Sequence, residues 1–168
     1  MATADQLLFV VKLVSALGCG LIAGVFFAFS TFVMSALARI QPARGISAMQ
    51  SINIAVINPS FMVVFLGTGV SCLFLTVFSL LRWHQPGAAY LLAGSLLYLA
   101  GTLLVTMVFN VPLNDALAKV APDNPESADL WVSYVNHWTV WNHVRTAAAL
   151  GAAASFTLAL CQHPLEIG

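Results

Sequence analysis

A chain of 168 residues in which 60% are hydrophobic and only 7% charged lies far outside the soluble norm of roughly 45–50% apolar and ~25% charged residues. Six basic residues balance six acidic ones, which leaves no basic patch for nucleic acid and no polybasic segment for anionic lipid. Cys19, Cys72 and Cys161 lie singly in apolar runs, the pattern of small core residues and not of a disulfide framework or zinc site. The chain reads as one integral membrane domain over residues 1–168, all-α. The predicted architecture is a four-helix transmembrane bundle with spans near 7–34, 60–81, 89–109 and 142–161.

Leu7–Met34 has the length of a bilayer crossing, which needs ~20 apolar residues. Ala36–Ala38 resembles a leader cleavage site, but Asp5 and no basic residue precedes an apolar run about twice the usual leader length, so the run is read as a span. Lys12 is placed to snorkel to the headgroups, and Gly20 with Gly24 offers a close-packing face. After a turn at Pro42 and Gly45, the three- and four-residue steps of Ile46, Met49, Ile52/Asn53 and Val56 predict a short interfacial helix between spans one and two. Asn58 caps and Pro59 starts the second span, which ends at the boundary residues Arg82, Trp83 and His84. The turn Gln85-Pro86-Gly87 makes spans two and three antiparallel neighbours.

Span three runs into Asn110–Asn114, N-V-P-L-N, where Pro112 ends or kinks the helix and Asn110 and Asn114 lie one turn apart. Asp115–Leu130 reads as a water-facing loop, followed by a helical extension before span four. The core of that span, T-A-A-A-L-G-A-A-A-S, packs tightly against another helix, in the same subunit or across a homodimer. Arg39, Arg44 and Lys119 outnumber Arg82, which places the two long connections in the cytoplasm of a cell whose inner (plasma) membrane, of bacterial type, holds the bundle.

Tyr134–Arg145, Y-V-N-H-W-T-V-W-N-H-V-R, brings a polar cluster to the mouth of an apolar span, which is costly unless it is used. On a helix Tyr134, Trp138, Trp141 and Arg145 share one face, and Asn136, Val140 and His143 another. Arg145 stays charged and needs an anion, and no acidic residue lies within any apolar span. Three readings of His137 and His143 compete: boundary residues; a ligand to a metal or haem iron; a general base acting on a flat carbon acid whose enolate Arg145 holds. No G-x-S-x-G elbow or phosphate-cradling loop is present.

The segments F-F-A-F-S (Phe26–Ser30), M-Q-S-I-N (Met49–Asn53), N-P-S-F (Asn58–Phe61), N-V-P-L-N (Asn110–Asn114) and W-N-H-V-R-T (Trp141–Thr146) resemble the small four-span family named for the anthrone oxygenases. That resemblance implies oxidation of a polyketide anthrone to the anthraquinone by molecular oxygen, with a site at Asn110, Asn114, Trp141, Asn142, His143 and Arg145. Triplet oxygen reacts slowly with closed-shell organics. The reaction therefore needs a metal, a flavin, or an electron-rich substrate such as an anthrone enolate. The assignment carried forward is haem b on His143, with His137 as alternative ligand and His137, Arg145, Trp141, Asn114 and Asn142 around it; His143, Arg145 and Asn110 act on an aromatic or quinone-like molecule. A cofactor-free, base-assisted oxygenase and a non-enzymatic haem-binding electron-transfer or small-molecule-binding membrane protein are the competing readings.

Overall fold

The computed structural model describes residues 2–162, and every regular element among them is helical. Four helices are long and apolar enough to cross a membrane: α1 (Ala4–Arg39), α3 (Pro59–Leu81), α4 (Ala88–Ala118) and α5 (Ser127–Cys161), with the shorter α2 (Pro42–Ala55) between the first two. At 1.5 Å per residue the 23 residues of α3 give about 35 Å, one hydrocarbon core, whereas the 35 of α5 give about 52 Å. The excess of α1, α4 and α5 therefore stands beyond the bilayer, and α2 closes it into a cap.

Two apolar cores follow from that division. Within the span region Cys19, Ile22, Phe65, Leu75, Tyr98 and Phe156 pack together. In the cap the cluster is Met34, Ile46, Met49, Leu117, Trp131 and Trp138. Ile46 and Met49, from the predicted interfacial stripe, turn inward onto this cap core. The Gln50 amide pins α2 to α4 by donating to the carbonyls of Leu117 (2.9 Å) and Val120 (3.1 Å). Trp131 lies flat over Gly45, where an added Cβ would come 2.8 Å from the indole, so only glycine lets the two helices meet this closely.

The starts and stops obey local chemistry. Asn58 Oδ1 accepts from the Phe61 amide at 3.0 Å and Pro59 begins α3. Gly87, at φ 83°, turns the chain from α3 into α4.

Several expectations are corrected. The third spanning helix does not end at Pro112: α4 continues to Ala118, with a π-helical turn at Thr106–Asn110 over the stretch where the proline ring and its missing amide disturb the ladder. Span one likewise continues to Arg39 through a π-helical turn at Phe29–Val33. Lys12 is buried among the helices, only 4% exposed, and does not reach outward. Gly20 and Gly24 face open space, whereas the small residues Ala148, Ala149 and Ala152 of α5 are consumed inside the subunit. Cys161 is exposed while Cys19 and Cys72 are buried, all three as free thiols.

Candidate functional site

Between the two cores lies a cavity of about 230 Å³. Its apolar walls include Phe26 and Phe65 from the span side and Phe29, Met49 and Trp138 from the cap, and its polar wall is Arg145 with Thr106, Asn53 and Asn114. The position follows from the sequence: a polar cluster at the start of an apolar segment of α5 falls at the seam of the two cores. Apolar area with a few convergent polar groups is the usual make-up of a small-molecule site, and this volume sits just under the ~300–1,000 Å³ of drug-sized ligands. It suits a flat molecule of a few fused rings.

Arg145 is the centre of the polar wall. Its guanidinium carbon sits 4.1 Å from the Phe26 ring centroid and 5.0 Å from that of Trp138, a cation held between two aromatic faces. Nη2 donates to Asn142 Oδ1 at 2.6 Å and Nη1 to Thr106 Oγ1 at 3.3 Å, while Nε is buried with no acceptor. The side chain is 4% exposed, and no ion pair forms among the described residues. A buried cation without an anion is an expensive arrangement, several kcal/mol by the usual desolvation cost.

The surrounding residues hold that cation in place. Asn142 Nδ2 donates to the Phe26 carbonyl and to Ser30 Oγ, each at 2.7 Å, which leaves its Oδ1 directed to Arg145. Thr146 Oγ1 lies 3.1 Å from Ser30 Oγ and donates to the Asn142 carbonyl at 2.8 Å. On the cap side Asn114 Oδ1 accepts from both Tyr134 Oη and Trp138 Nε1 at 2.9 Å, which leaves its amide nitrogen without a protein acceptor, and the residue lines the cavity wall. Asn53 lines the same wall from α2. π-Helical turns flank the site on both α1 and α4, a distortion that recurs where helices are re-aimed for function.

Of the residues marked in the sequence, Arg145, Asn142 and Asn114 come together here. Asn110 is buried beside them and ties α4 to α5 by donating to the Trp138 carbonyl at 3.2 Å, its Oδ1 without a partner. Trp141 does not reach the cavity; it stacks on Phe109 with centroids 3.5 Å apart. Neither histidine does so either. His143 is exposed on the outer face of α5 with Val140 and Val144, and His137, also exposed, turns back to hydrogen-bond the Ser133 carbonyl at 2.8 Å. Tyr134, Trp138 and Arg145 share the inward face as expected, Trp141 does not join them, and the histidines lie on the face turned away from the bundle.

That placement does not fit a haem held from within the cavity. An iron porphyrin needs an axial donor, and no imidazole or thiolate lines the wall. Met49, Met62 and Met107 bring thioethers, which ligate haem iron beside a histidine that is missing here. The described residues also contain no cluster of three or more His, Cys, Asp or Glu side chains that could hold a metal ion.

Phe26, Ser30, Asn53 and Thr106 were not singled out as site residues by sequence reasoning. Phe26, Ser30 and Asn53 stand inside the short segments F-F-A-F-S and M-Q-S-I-N, which was the available signal; for Thr106 there was none. A family model described as "Anthrone oxygenase" matches residues 61–155. The match takes in α3, α4 and most of α5, and with them Arg145, Asn142, Asn110, Asn114 and Thr106. No curated protein and no solved structure gives a significant match.

Proposed function

Because the chain belongs to the anthrone oxygenase family, whose function at that level is oxygenase-like, we propose that it oxidises a flat, acidic aromatic ketone of the anthrone type, using the cavity between its two cores. The observation that carries the reading is Arg145: a buried guanidinium at the wall of an aromatic-lined cavity, with only two of its five N–H groups in hydrogen bonds and without a counter-ion. An enolate is the ligand that this wall lacks. Its oxyanion supplies the missing charge and accepts from the guanidinium N–H groups that have no protein acceptor, and its rings fill the space between Phe26, Phe29, Phe65 and Trp138.

The chemistry then runs on the substrate's own electrons. An anthrone has a CH₂ flanked by two aryl rings, opposite its carbonyl. Loss of one CH₂ proton to water gives the enolate, whose formation the adjacent cation favours by the ~1–3 pKa units typical of an opposite charge within 4–6 Å. The enolate gives one electron to O₂; the carbon radical and superoxide combine, and the peroxide takes back a proton. Loss of water, from the remaining C–H and the terminal OH, leaves the second carbonyl. One oxygen atom ends in the quinone and one in water. Arg145 holds the oxyanion, Asn142 and Thr106 orient the guanidinium, and Asn114 has a free N–H for a second oxygen of the ligand. The apolar walls reduce the water around the charge pair and strengthen it.

The experiment is turnover. Purified protein in nanodiscs should convert anthrone to anthraquinone with one O₂ consumed per quinone, above the uncatalysed rate, and His143→Ala should keep that activity. Turnover that vanishes with His143→Ala in a folded protein would return the assignment to a histidine-based mechanism.

A further inference from the structure

How a ligand reaches this site has a structural answer, one that rests on the functional reading above. A depression on the surface lies between the end of α2 and the end of α4, walled by Asn53, Ile54, Asn114, Asp115 and Ala118 among others. Asn53, Ile57, Val111 and Asn114 wall both this depression and the cavity. The depression therefore borders the cavity, a candidate passage inward. Just behind it the Gln50 amide bonds the carbonyls of Leu117 and Val120, so the two walls are fixed relative to each other.

The depth of the opening follows from its α2 lip. Ile54 and Ile57 are 76% and 72% exposed, and they immediately precede Asn58, the residue that caps α3 where it enters the bilayer. Large apolar side chains standing free at that depth are wetted only by the headgroup boundary, where apolar faces settle a few ångströms into the acyl region. The opposite lip is polar, with Asn114 and Asp115. One lip suits hydrocarbon and the other suits water.

We infer that this passage is the route of the ligand and that it admits a flat amphiphile sideways from the headgroup layer. Rings slide past Ile54 and Ile57 while carbonyl and hydroxyl groups exchange water for the Asn53 and Asn114 amides, and the oxygen-bearing end then meets Arg145. The substrate class is accordingly a membrane-partitioned aromatic ketone or phenol. A fully water-soluble acid would face Asp115 at the mouth, and a hydrocarbon without oxygen would stay in the bilayer core.

The test places a cysteine at Ala118, which walls the mouth and not the cavity. In a Cys161→Ser background the other two thiols, Cys19 and Cys72, are buried. The Ala118→Cys protein is folded first, reconstituted in vesicles, and then labelled. Association of 1,8-dihydroxyanthraquinone, followed by quenching of tryptophan emission from the cavity, should slow by roughly tenfold or more after a bulky maleimide and by less than about twofold after methylthiolation, as expected when access and not the bound state is obstructed. A fluorophore at the same position should be quenched more by lipids brominated near the glycerol than by lipids brominated at the tail end. Unchanged association after the bulky label, or stronger quenching from the tail end, overturns the route. If the quinone fails to quench the unlabelled protein at all, the functional reading itself falls, and the route with it.

Discussion

Replacing Arg145 by methionine keeps most of the side chain's length and removes its charge. On the stability side the opposing terms nearly cancel. Asn142 Oδ1 loses its 2.6 Å donor, about 1–3 kcal/mol for a buried acceptor left without a partner. The two cation–π contacts to Phe26 and Trp138 contribute about 0.5–2 kcal/mol each when desolvated. Against these stands the desolvation penalty of an unpaired buried cation, itself several kcal/mol. Thermal unfolding of Arg145→Met, followed by tryptophan emission in detergent, should therefore lie within roughly 2 kcal/mol of the parent. Activity has no such cancellation. One preorganised donor to an oxyanion in a closed site contributes about 2.7–4 kcal/mol, or 10²–10³ in kcat, and the formal charge places Arg145 at the upper end. Anthrone oxidation by Arg145→Met should fall by that factor, and Arg145→Lys, which keeps charge but loses the planar fork, should recover a part. A folded Arg145→Met protein that turns over within about tenfold of the parent would refute the reasoning.

The remaining residues give sharper local tests. His143→Ala and His137→Ala, both on the outer face, should each leave kcat within about threefold and unfolding within about 0.5 kcal/mol, the usual range for surface substitutions. Asn114→Leu removes the shared acceptor of Tyr134 and Trp138, so unfolding should cost about 2–4 kcal/mol from two orphaned donors, with a shift of tryptophan emission. Asn142→Leu removes one partner each from Ser30, the Phe26 carbonyl and Arg145 and leaves the guanidinium with Thr106 alone; it should lower kcat more than it raises KM, because it loosens the guanidinium and leaves the aromatic walls alone. Gly45→Ala drives a methyl to 2.8 Å from the Trp131 ring and 3.0 Å from the Leu37 carbonyl, an overpacking cost of about 1–3 kcal/mol measurable by denaturation.

Much of the fold is written locally. Apolar runs of spanning length, Asn58-Pro59, and Gln85-Pro86-Gly87 specify the four helices and their antiparallel neighbours without tertiary information. Pro112 misled, because a helix can pass through proline with a π-helical turn beside it, and nothing in N-V-P-L-N distinguishes a kink from such a passage. Lys12 misled for a related reason: whether a lysine snorkels depends on which neighbours cover it, and these come from distant helices. At the site, the periodicity of Tyr134–Arg145 placed Tyr134, Trp138 and Arg145 on one face but also counted Trp141 with them, which stacks on Phe109 instead, and Arg145, with no partner in any span, carried its own signal. The choice between the faces was not local. It is fixed by α1, whose Phe26 carbonyl and Ser30 hydroxyl capture Asn142 and so turn His143 outward. Chemical versatility drew attention to histidine, while the geometry gathers around an arginine.

The central claim is that the cavity takes its ligand as an oxyanion against Arg145. It is tested most directly by an anaerobic absorption spectrum of anthrone bound to the protein at neutral pH, where no oxidation competes. The account predicts the red-shifted band of the deprotonated ketone in the parent and in His143→Ala, and its absence in Arg145→Met. A spectrum of neutral anthrone in the parent, or an oxyanion band that survives Arg145→Met and disappears in His143→Ala, would contradict it.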